Sequence, residues 1–403
     1  MNRNAPIRIS HVLTNLDLGG TQVILLQCLR HLDSKQFDHN IFSLNGRSTA
    51  FDAGRLRRQL GELAPIYDVN LRETIHPGDV TGILRLAWRL RQLRPDIVHT
   101  YHFRGMVYGT LAARLAGIPA VVCSDHALSS TGIEGKTRDW RARQAYRLIG
   151  RLASQMVTVS EATRREMIAW GGISPARVEV IPNGVDYPPS PVDRAAVRQR
   201  LGIAPDCSLV VAAGRLDPIK GFDHLIAAAP LLPDSLAIQI LIAGGGPEHD
   251  HLAHFIRQLQ VEDRVHLLGP IDNVPELLAA ADVVAMTSRS ETFGLVAAEA
   301  MASGTAVVAS AVGGLPELIE PGRSGVLVPY AHPRALGEAI VDLIRRPDLR
   351  RQLARNGQER IRESFTVSQM ADRYAKLYCQ LVEAPRTVFD SAGDDQPVTE
   401  KLA

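Results

Sequence analysis

A rhythm narrows what this chain can fold into. Short apolar runs alternate with longer stretches of helical spacing, and the alternation stops once and starts again. In the first half, "IRISHVLTNL" (7–16), "DIVHTY" (96–101), "AVVCSDH" (120–126), "QMVTVS" (155–160) and "VEVIPNG" (178–184) read as strands. A helix is expected from Thr21, and "DVTGILRLAWRLRQL" (79–93) has helical spacing. Strands that are apolar throughout and separated by helices imply a parallel sheet covered on both faces. The proline-rich stretch "IPNGVDYPPSPVDR" (181–194) is the linker. Beyond it the strands resume: "SLVVAAGRL" (208–216), "IQILIAGGG" (238–246), "RVHLLG" (264–269), "DVVAMTS" (282–288), "TAVVAS" (305–310) and "GVLVP" (325–329). The expectation is an α/β protein of two doubly wound domains facing across a cleft, with ligands at the C-terminal strand ends. The domains are placed at 1–185 and 186–366. An amphipathic helix at 367–384 follows, and then a polar tail, 385–403, that reads as disordered.

Composition removes several functions. Lys+Arg number 45 against 43 Asp+Glu in 403 residues, so a formal charge of +2 gives no reason to expect nucleic acid. Cys28, Cys123, Cys207 and Cys379 are far apart and form no CxxC, so neither a zinc site nor a disulfide framework is indicated. The N-terminal "MNRNAPIRISHVLTNL" lacks the apolar core of a signal peptide, and no run of 18 apolar residues occurs. A cytoplasmic setting is expected.

Several motifs fall short of a named chemistry. "SSTGIEGKT" (129–137) ends like a phosphate-binding loop, but Ser130 stands where that loop needs glycine, so it reads as a basic loop near the cleft. "LIAGGGPEHDH" (241–251) has His249 where a dinucleotide fingerprint needs its third glycine. His249, His251 and His254 sit among solvent-type residues and read as surface. No Asp-x-Asp occurs, so the usual carboxylate grip on a metal–diphosphate is missing and no metal is expected.

Three stretches carry more. In "NLDLGGTQ" (15–22) a strand ends and a helix begins after Gly19 and Gly20, an arrangement that lets backbone N–H groups approach an anion. "GRLDPIKG" (214–221) holds the corresponding place in the second half, with Arg215 and Lys220 flanking a turn. Two cations facing a glycine pair across a cleft suit a diphosphate. In "SRSETFGLVAAEAMASGTAVVAS" (288–310), Glu291 and Glu299 lie eight residues apart in a small, apolar setting. That spacing places both carboxylates on one side of a helix expected to begin at Glu291. A glutamate in such surroundings needs hydrogen-bond donors, and sugar hydroxyls supply them.

Together the E-x7-E stretch, "GRLDPIKG", "VIPNGVD" and "GGTQ" resemble the retaining GT-B-fold glycosyltransferases of the glycogen-synthase-like group, glycosyltransferase family 4. The resemblance runs along nearly the whole chain in order. It implies metal-independent transfer of a hexose-type sugar from a nucleoside diphosphate sugar, a UDP- or GDP-sugar, with retention. The acceptor implied is a sugar or a lipid-linked molecule, in polysaccharide or glycoconjugate synthesis. By position, Arg215 and Lys220 would hold the diphosphate, Glu299 the ribose and Glu291 the donor sugar. Phe293, Gly294 and Leu295 would offer backbone contacts, Gly19 and Gly20 would pack on the phosphate, and His126 would touch the sugar. The last helix would cross back to the N-terminal domain. Thr21-Gln22 and Asp125 depart from the usual family pattern. A nucleotide-sugar epimerase of the same fold would need carboxylates placed for proton abstraction, and no clear set appears. A non-catalytic nucleotide-binding protein is the third reading. Residues 138–153, with Arg143, Arg147 and Arg151 on one side, make a basic amphipathic helix that suits peripheral contact with an anionic membrane.

Overall fold

The computed structural model describes residues 5–17, 19–46, 53–71, 79–126, 140–187 and 192–383. The basic loop 129–137 and the tail from 385 lie outside these.

The first half forms one seven-stranded sheet: β1 (Ile7–Leu13), β2 (Phe37–Ser43), β3 (Ile66–Asp68), β4 (Ile97–Tyr101), β5 (Ala120–Asp125), β6 (Gln155–Thr158) and β7 (Val178–Val180). Every pairing is parallel, in the order β3-β2-β1-β4-β5-β6-β7. The order reverses at β1, so the crevice for ligands opens between β1 and β4. β2 and β3 were not expected. "FDHNIFS" buries Phe37, His39, Ile41, Phe42 and Ser43 but breaks the apolar run with Asp38 and Asn40, and β3 is only three residues long.

The helices of this half are α1 (Gly20–His31), α2 (Ala53–Leu63), α3 (Val80–Leu93), α4 (His102–Leu115), α5 (Trp140–Leu152) and α6 (Glu161–Gly171). α3, α4 and α5 pack side by side on one face of the sheet.

The second half forms a six-stranded parallel sheet in the order β10-β9-β8-β11-β12-β13. Its strands are β8 (Ser208–Ala213), β9 (Ile238–Ala243), β10 (Val265–Gly269), β11 (Val283–Met286), β12 (Ala306–Ser310) and β13 (Val326–Val328). Its helices are α7 (Arg194–Arg200), α8 (Phe222–Ala228), α9 (His249–Gln258), α10 (Val274–Ala280), α11 (Leu295–Ala302), α12 (Leu315–Leu318), α13 (Pro333–Arg345) and α14 (Pro347–Ser364). β11, at the switch point of this sheet, feeds directly into the Glu291 stretch. The His249–His254 group lies on α9, where His249 meets Asp250 and His251 meets Glu248 at the surface.

α15 (Val367–Glu383) leaves the second half and packs on the first, burying Met370, Tyr374, Leu377 and Tyr378 with Ile9, Ile97, Val122 and Val157. The chain therefore passes between the halves twice, at about 183–187 and 364–367. The two passages touch: Val185 N–H donates to Phe365 C=O at 2.9 Å, and Val185 pairs with Thr366. A Cβ on Gly184 would sit 2.5 Å from Thr366 C=O and 2.5 Å from Val367 Cα, so only glycine fits this crossing.

Beneath α15 lies a buried polar network. His99 Nδ1 meets the Tyr378 hydroxyl at 2.7 Å and its Nε2 meets Ser124 Oγ at 2.6 Å. His11 Nδ1 meets the Tyr101 hydroxyl at 3.0 Å and its Nε2 meets His39 Nδ1 at 3.0 Å. Burial holds His11 and His99 well below the usual imidazole range and lowers His39 to about 4, so all three rings are neutral at pH 7.

Candidate active site

The loop after β11 and the start of α11 form the centre of the cleft wall. The helix begins at Leu295 rather than at Glu291, with Gly294 as its N-cap at φ 99°. Two interactions explain the later start. A Cβ on Gly294 would lie 2.6 Å from Leu315 Cδ2, and the Glu291 carbonyl accepts the Gly314 N–H at 2.9 Å instead of starting a helical ladder. Glu291 therefore sits in a turn and Glu299 in the second turn of α11, and the eight-residue spacing is not two turns of one helix. Phe293 is buried and packs edge-on against Phe365 at 5.7 Å, which anchors the turn to the hinge.

Lys220 ends a 3-10 turn, Pro218–Lys220, after β8. Its Nζ lies 2.7 Å from Glu291 Oε2, and Ser288 Oγ donates to the same oxygen at 3.3 Å. Two backbone ties hold the loops in register: Arg289 N–H to Ile219 C=O at 2.8 Å and Thr287 Oγ1 to Lys220 C=O at 3.0 Å. Arg215 is placed differently. Its side chain is 65% exposed and pairs with Asp217 in its own loop, so the two cations do not stand together.

Glu299 is partly buried on α11, and the loss of solvent around it raises its carboxyl to about 7. It lines a cavity of about 530 Å³, together with Gln27 of α1, Val185 and Tyr187 of the hinge, and Asn273 and Glu276 near α10. Neither Lys220 nor Glu291 lines this cavity, so it is separate from the ion pair and is not the whole cleft.

The first domain closes over the turn. Gly19 caps α1 in extended geometry, and a Cβ on Gly20 would come within 2.9 Å of Leu295 Cδ1. The starts of α1 and α11 thus meet across the cleft, each with free N–H groups in its first turn. Thr292 Oγ1 donates to the His126 carbonyl at 2.8 Å. His126, at the end of β5, has both ring nitrogens enclosed and without a hydrogen-bond partner among the described residues. Asn183 approaches the ring and favours its charged form without meeting hydrogen-bond geometry. Burial first, then His102, nevertheless lowers His126 to about 3.

Three residues here escaped sequence reasoning. His102 opens α4 in the left-handed region at φ 58°, a strained position for a non-glycine residue, directly after "DIVHTY". Its signal was that position at a strand end. Arg104, buried beside it, donates to Asn45 Oδ1, while its Nε and Nη2 have no partner among the described residues. Glu317 of α12 caps α6 across the interface, accepting from Glu161 N–H at 2.7 Å and Ala162 N–H at 2.6 Å. No local pattern marks such a contact, because its partners lie 155 and 156 residues away.

With this geometry in hand, comparison with known proteins gives a consistent result. Residues 18–187 match the family described as Glycosyltransferase Family 4, and residues 193–360 match Glycosyl transferases group 1. The chain is 32% identical to a D-inositol 3-phosphate glycosyltransferase of Mycolicibacterium vanbaalenii over 81% of its length and 78% of the relative's. It is 31% identical to an alpha-maltose-1-phosphate synthase of Mycolicibacterium smegmatis over 70% of its length and 78% of that protein's. Among solved structures, Anabaena HepE in complex with UDP superposes with a TM-score of 0.78 at 26% identity, covering 93% of this chain and 100% of that one. HepE with UDP-glucose gives 0.77 at 25% identity, covering 93% of this chain and 99% of that one. The chain belongs to the GT-B-fold glycosyltransferases of the family 4, group 1 type, and is a glycosyltransferase.

Proposed function

We propose that the enzyme transfers a hexose from a nucleoside diphosphate sugar to an acceptor with retention of configuration and without a metal ion. The observation that carries this is the Lys220–Glu291 pair, set at the meeting of the α1 and α11 N-termini with Glu299 one turn beyond. In this reading residues 1–185 form the acceptor side and 186–366 the donor side.

The nucleoside sits beside Glu299, whose ionised carboxylate accepts from ribose hydroxyls. Lys220 and the two helix starts receive the diphosphate, with Arg215 swinging from Asp217 to join them. Glu291 holds hydroxyls of the sugar, while Phe293, Gly294 and Leu295 present backbone and Gly19 and Gly20 close from the other side. His126 and His102 face the sugar and the acceptor. As the bond from the anomeric carbon to phosphate oxygen breaks, charge grows on the leaving phosphate. The cation and the N–H groups stabilise that charge more than they stabilise the ground state. The acceptor oxygen bonds to the anomeric carbon from the same face, and its proton passes to the departing phosphate. UDP-hexoses are the donors to try first, since HepE was solved with UDP and with UDP-glucose. The acceptor proposed is a sugar or lipid-linked molecule of glycoconjugate synthesis, reached from a membrane surface.

Incubation with UDP-glucose and candidate acceptors in EDTA, following UDP release and the anomeric proton by NMR, tests the whole reading. An α-linked product formed in EDTA is the expected result. Inversion at the anomeric carbon, or turnover that chelation abolishes and magnesium restores, would overturn it. Epimerisation at C2 would favour the epimerase instead.

A further inference from the structure

The outer face of the first domain carries a surface that sugar transfer does not use. α3 buries Gly82, Leu86, Ala87 and Leu90 and turns Val80, Leu84 and Trp88 outward, where they are 56%, 54% and 56% exposed. These three are four residues apart, so they form one stripe along the helix. Leu115 at the end of α4 and Trp140 and Leu148 on α5 add exposed apolar groups to the same layer, at 58%, 68% and 50%. A soluble surface rarely gathers so many large apolar side chains in one layer without a partner.

The charge of this layer is one-sided. Among residues 80–126 and 140–152 there are ten arginines, and the acids are Asp96 and Asp125 alone. Asp125 is buried and accepts from the Tyr146 hydroxyl, and Asp96 pairs with Arg8. The three helices themselves contain no acid. Arg85, Arg89, Arg91 and Arg94 border the α3 stripe and are exposed, and the Arg89 guanidinium lies 5.2 Å over the Trp88 ring. The chain as a whole is nearly neutral, so this segregation is a property of the face and not of the composition.

We propose that α3, with α5 beyond α4 in the same layer, docks the enzyme on an anionic lipid bilayer. The apolar stripe would enter the headgroup boundary and the arginines would meet lipid phosphates, as in interfacial helices. A second copy of the chain fits poorly, because a two-fold contact would set arginine rows against each other. The assignment also shifts the membrane contact from the α5 row to α3. Arg143 donates to the Trp170 carbonyl at 2.8 Å and Arg147 is half-buried, so they serve packing, while the α3 row is free to face outward. In a doubly wound domain each helix starts at the edge where the strands end, so Val80 and Trp140 sit toward the cleft edge of the sheet. Docking would then bring the cleft mouth close to the bilayer. This inference gives a surface to the membrane contact proposed above and does not depend on sugar transfer.

Flotation with phosphatidylcholine vesicles, with and without 30% phosphatidylglycerol, tests it on the full chain. Wild type should float with the anionic vesicles only, and less at 0.5 M salt. Leu84→Ser with Trp88→Ser should lower the bound fraction at least tenfold, and Arg89→Gln about fivefold. Leu231→Ser, an exposed apolar residue of the other domain, should change nothing. Bromolipids should quench Trp88 emission, read against the Trp88→Phe variant. No flotation, or flotation untouched by the α3 variants, would overturn the proposal. So would a dimer in solution that those variants dissolve. UDP release from a donor in free solution reports separately on the proposed chemistry.

Discussion

At the residue scale the two glutamates hold different positions and should fail differently. Glu299 is raised to about 7 by burial, so it binds a proton more tightly in the folded chain than unfolded near 4.5. Folded stability is therefore lost as pH rises from about 4.5 through 7. Glu299→Gln should remove that loss, gaining at most about 3 kcal/mol at pH 8, less as cavity water screens the charge. Urea midpoints at pH 5 and 8 measure it. Ribose should bind the ionised carboxylate, so UDP affinity should rise from pH 6 to 8 in wild type by more than in Glu299→Gln, which corrects for titration of UDP itself. A variant with wild-type affinity throughout would remove Glu299 from the ribose site. Glu291→Gln should keep UDP affinity within about threefold, since it loses a partner for Lys220 and no ribose contact. It should cut turnover tenfold to a hundredfold, the worth of a hydrogen bond to a charged group. Calorimetry and initial rates separate the two. Both glutamates were legible in the sequence because an acid in "SETFGLVAAEA" has no apolar reason to be there. His102, Arg104 and Glu317 were not, because their partners are set by topology: Arg104 meets Asn45 59 residues away.

At the element scale the sequence marked eleven of the thirteen strands among the described residues through apolar runs bounded by glycine, proline or polar turns. It lost β2 and β3, where pleated burial tolerates Asp38 and Asn40 on the exposed side, and where three residues are too few to show a period. It also placed the start of α11 four residues early. Helical spacing cannot reveal that Gly313, at φ 54°, brings its backbone against the Glu291 carbonyl. The junction of α12 with α6 is invisible in the same way and has a measurable consequence. Glu317 satisfies two N–H groups at the start of α6, a charged cap on the helix dipole, from the opposite domain. Ser160 keeps its own cap on Thr163, so α6 should survive Glu317→Gln. What weakens is the closed arrangement, by about 1–2 kcal/mol. Small-angle scattering should show a larger radius of gyration for the free variant that donor restores. An unchanged radius would leave Glu317 as a local cap only.

At the scale of the whole molecule the two domains are joined by two passages that touch backbone to backbone at Val185 and Phe365. Gly184 faces Thr366 and Val367, the Gly184 N–H lies 3.2 Å from Met370 Sδ, and Tyr187 donates to the Gln358 carbonyl at 2.9 Å. α15 carries these contacts into the first domain through Tyr374 and Tyr378, which end on Ser124 and His99. Any motion that opens the cleft must turn about this crossing, because the remaining links between domains are side-chain and helix-start contacts that can part. Gly184→Ala would put a methyl within 2.5 Å of two backbone atoms, a distance no real Cβ tolerates, so one passage must shift against the other. Both sheets keep their own cores, one around Val12 and Val98 and the other around Val210 and Val283, so each domain should stay folded. The expected outcome is a split: UDP affinity within about threefold of wild type, because its proposed contacts on Lys220 and Glu299 belong to the second domain, and turnover down by tenfold or more, because His126 and Gly20 no longer meet Thr292 and Leu295. Calorimetry with UDP and initial rates with intact donor measure the two halves. If Gly184→Ala turned over at the wild-type rate, closure about 183–187 and 364–367 would not be part of the catalytic cycle.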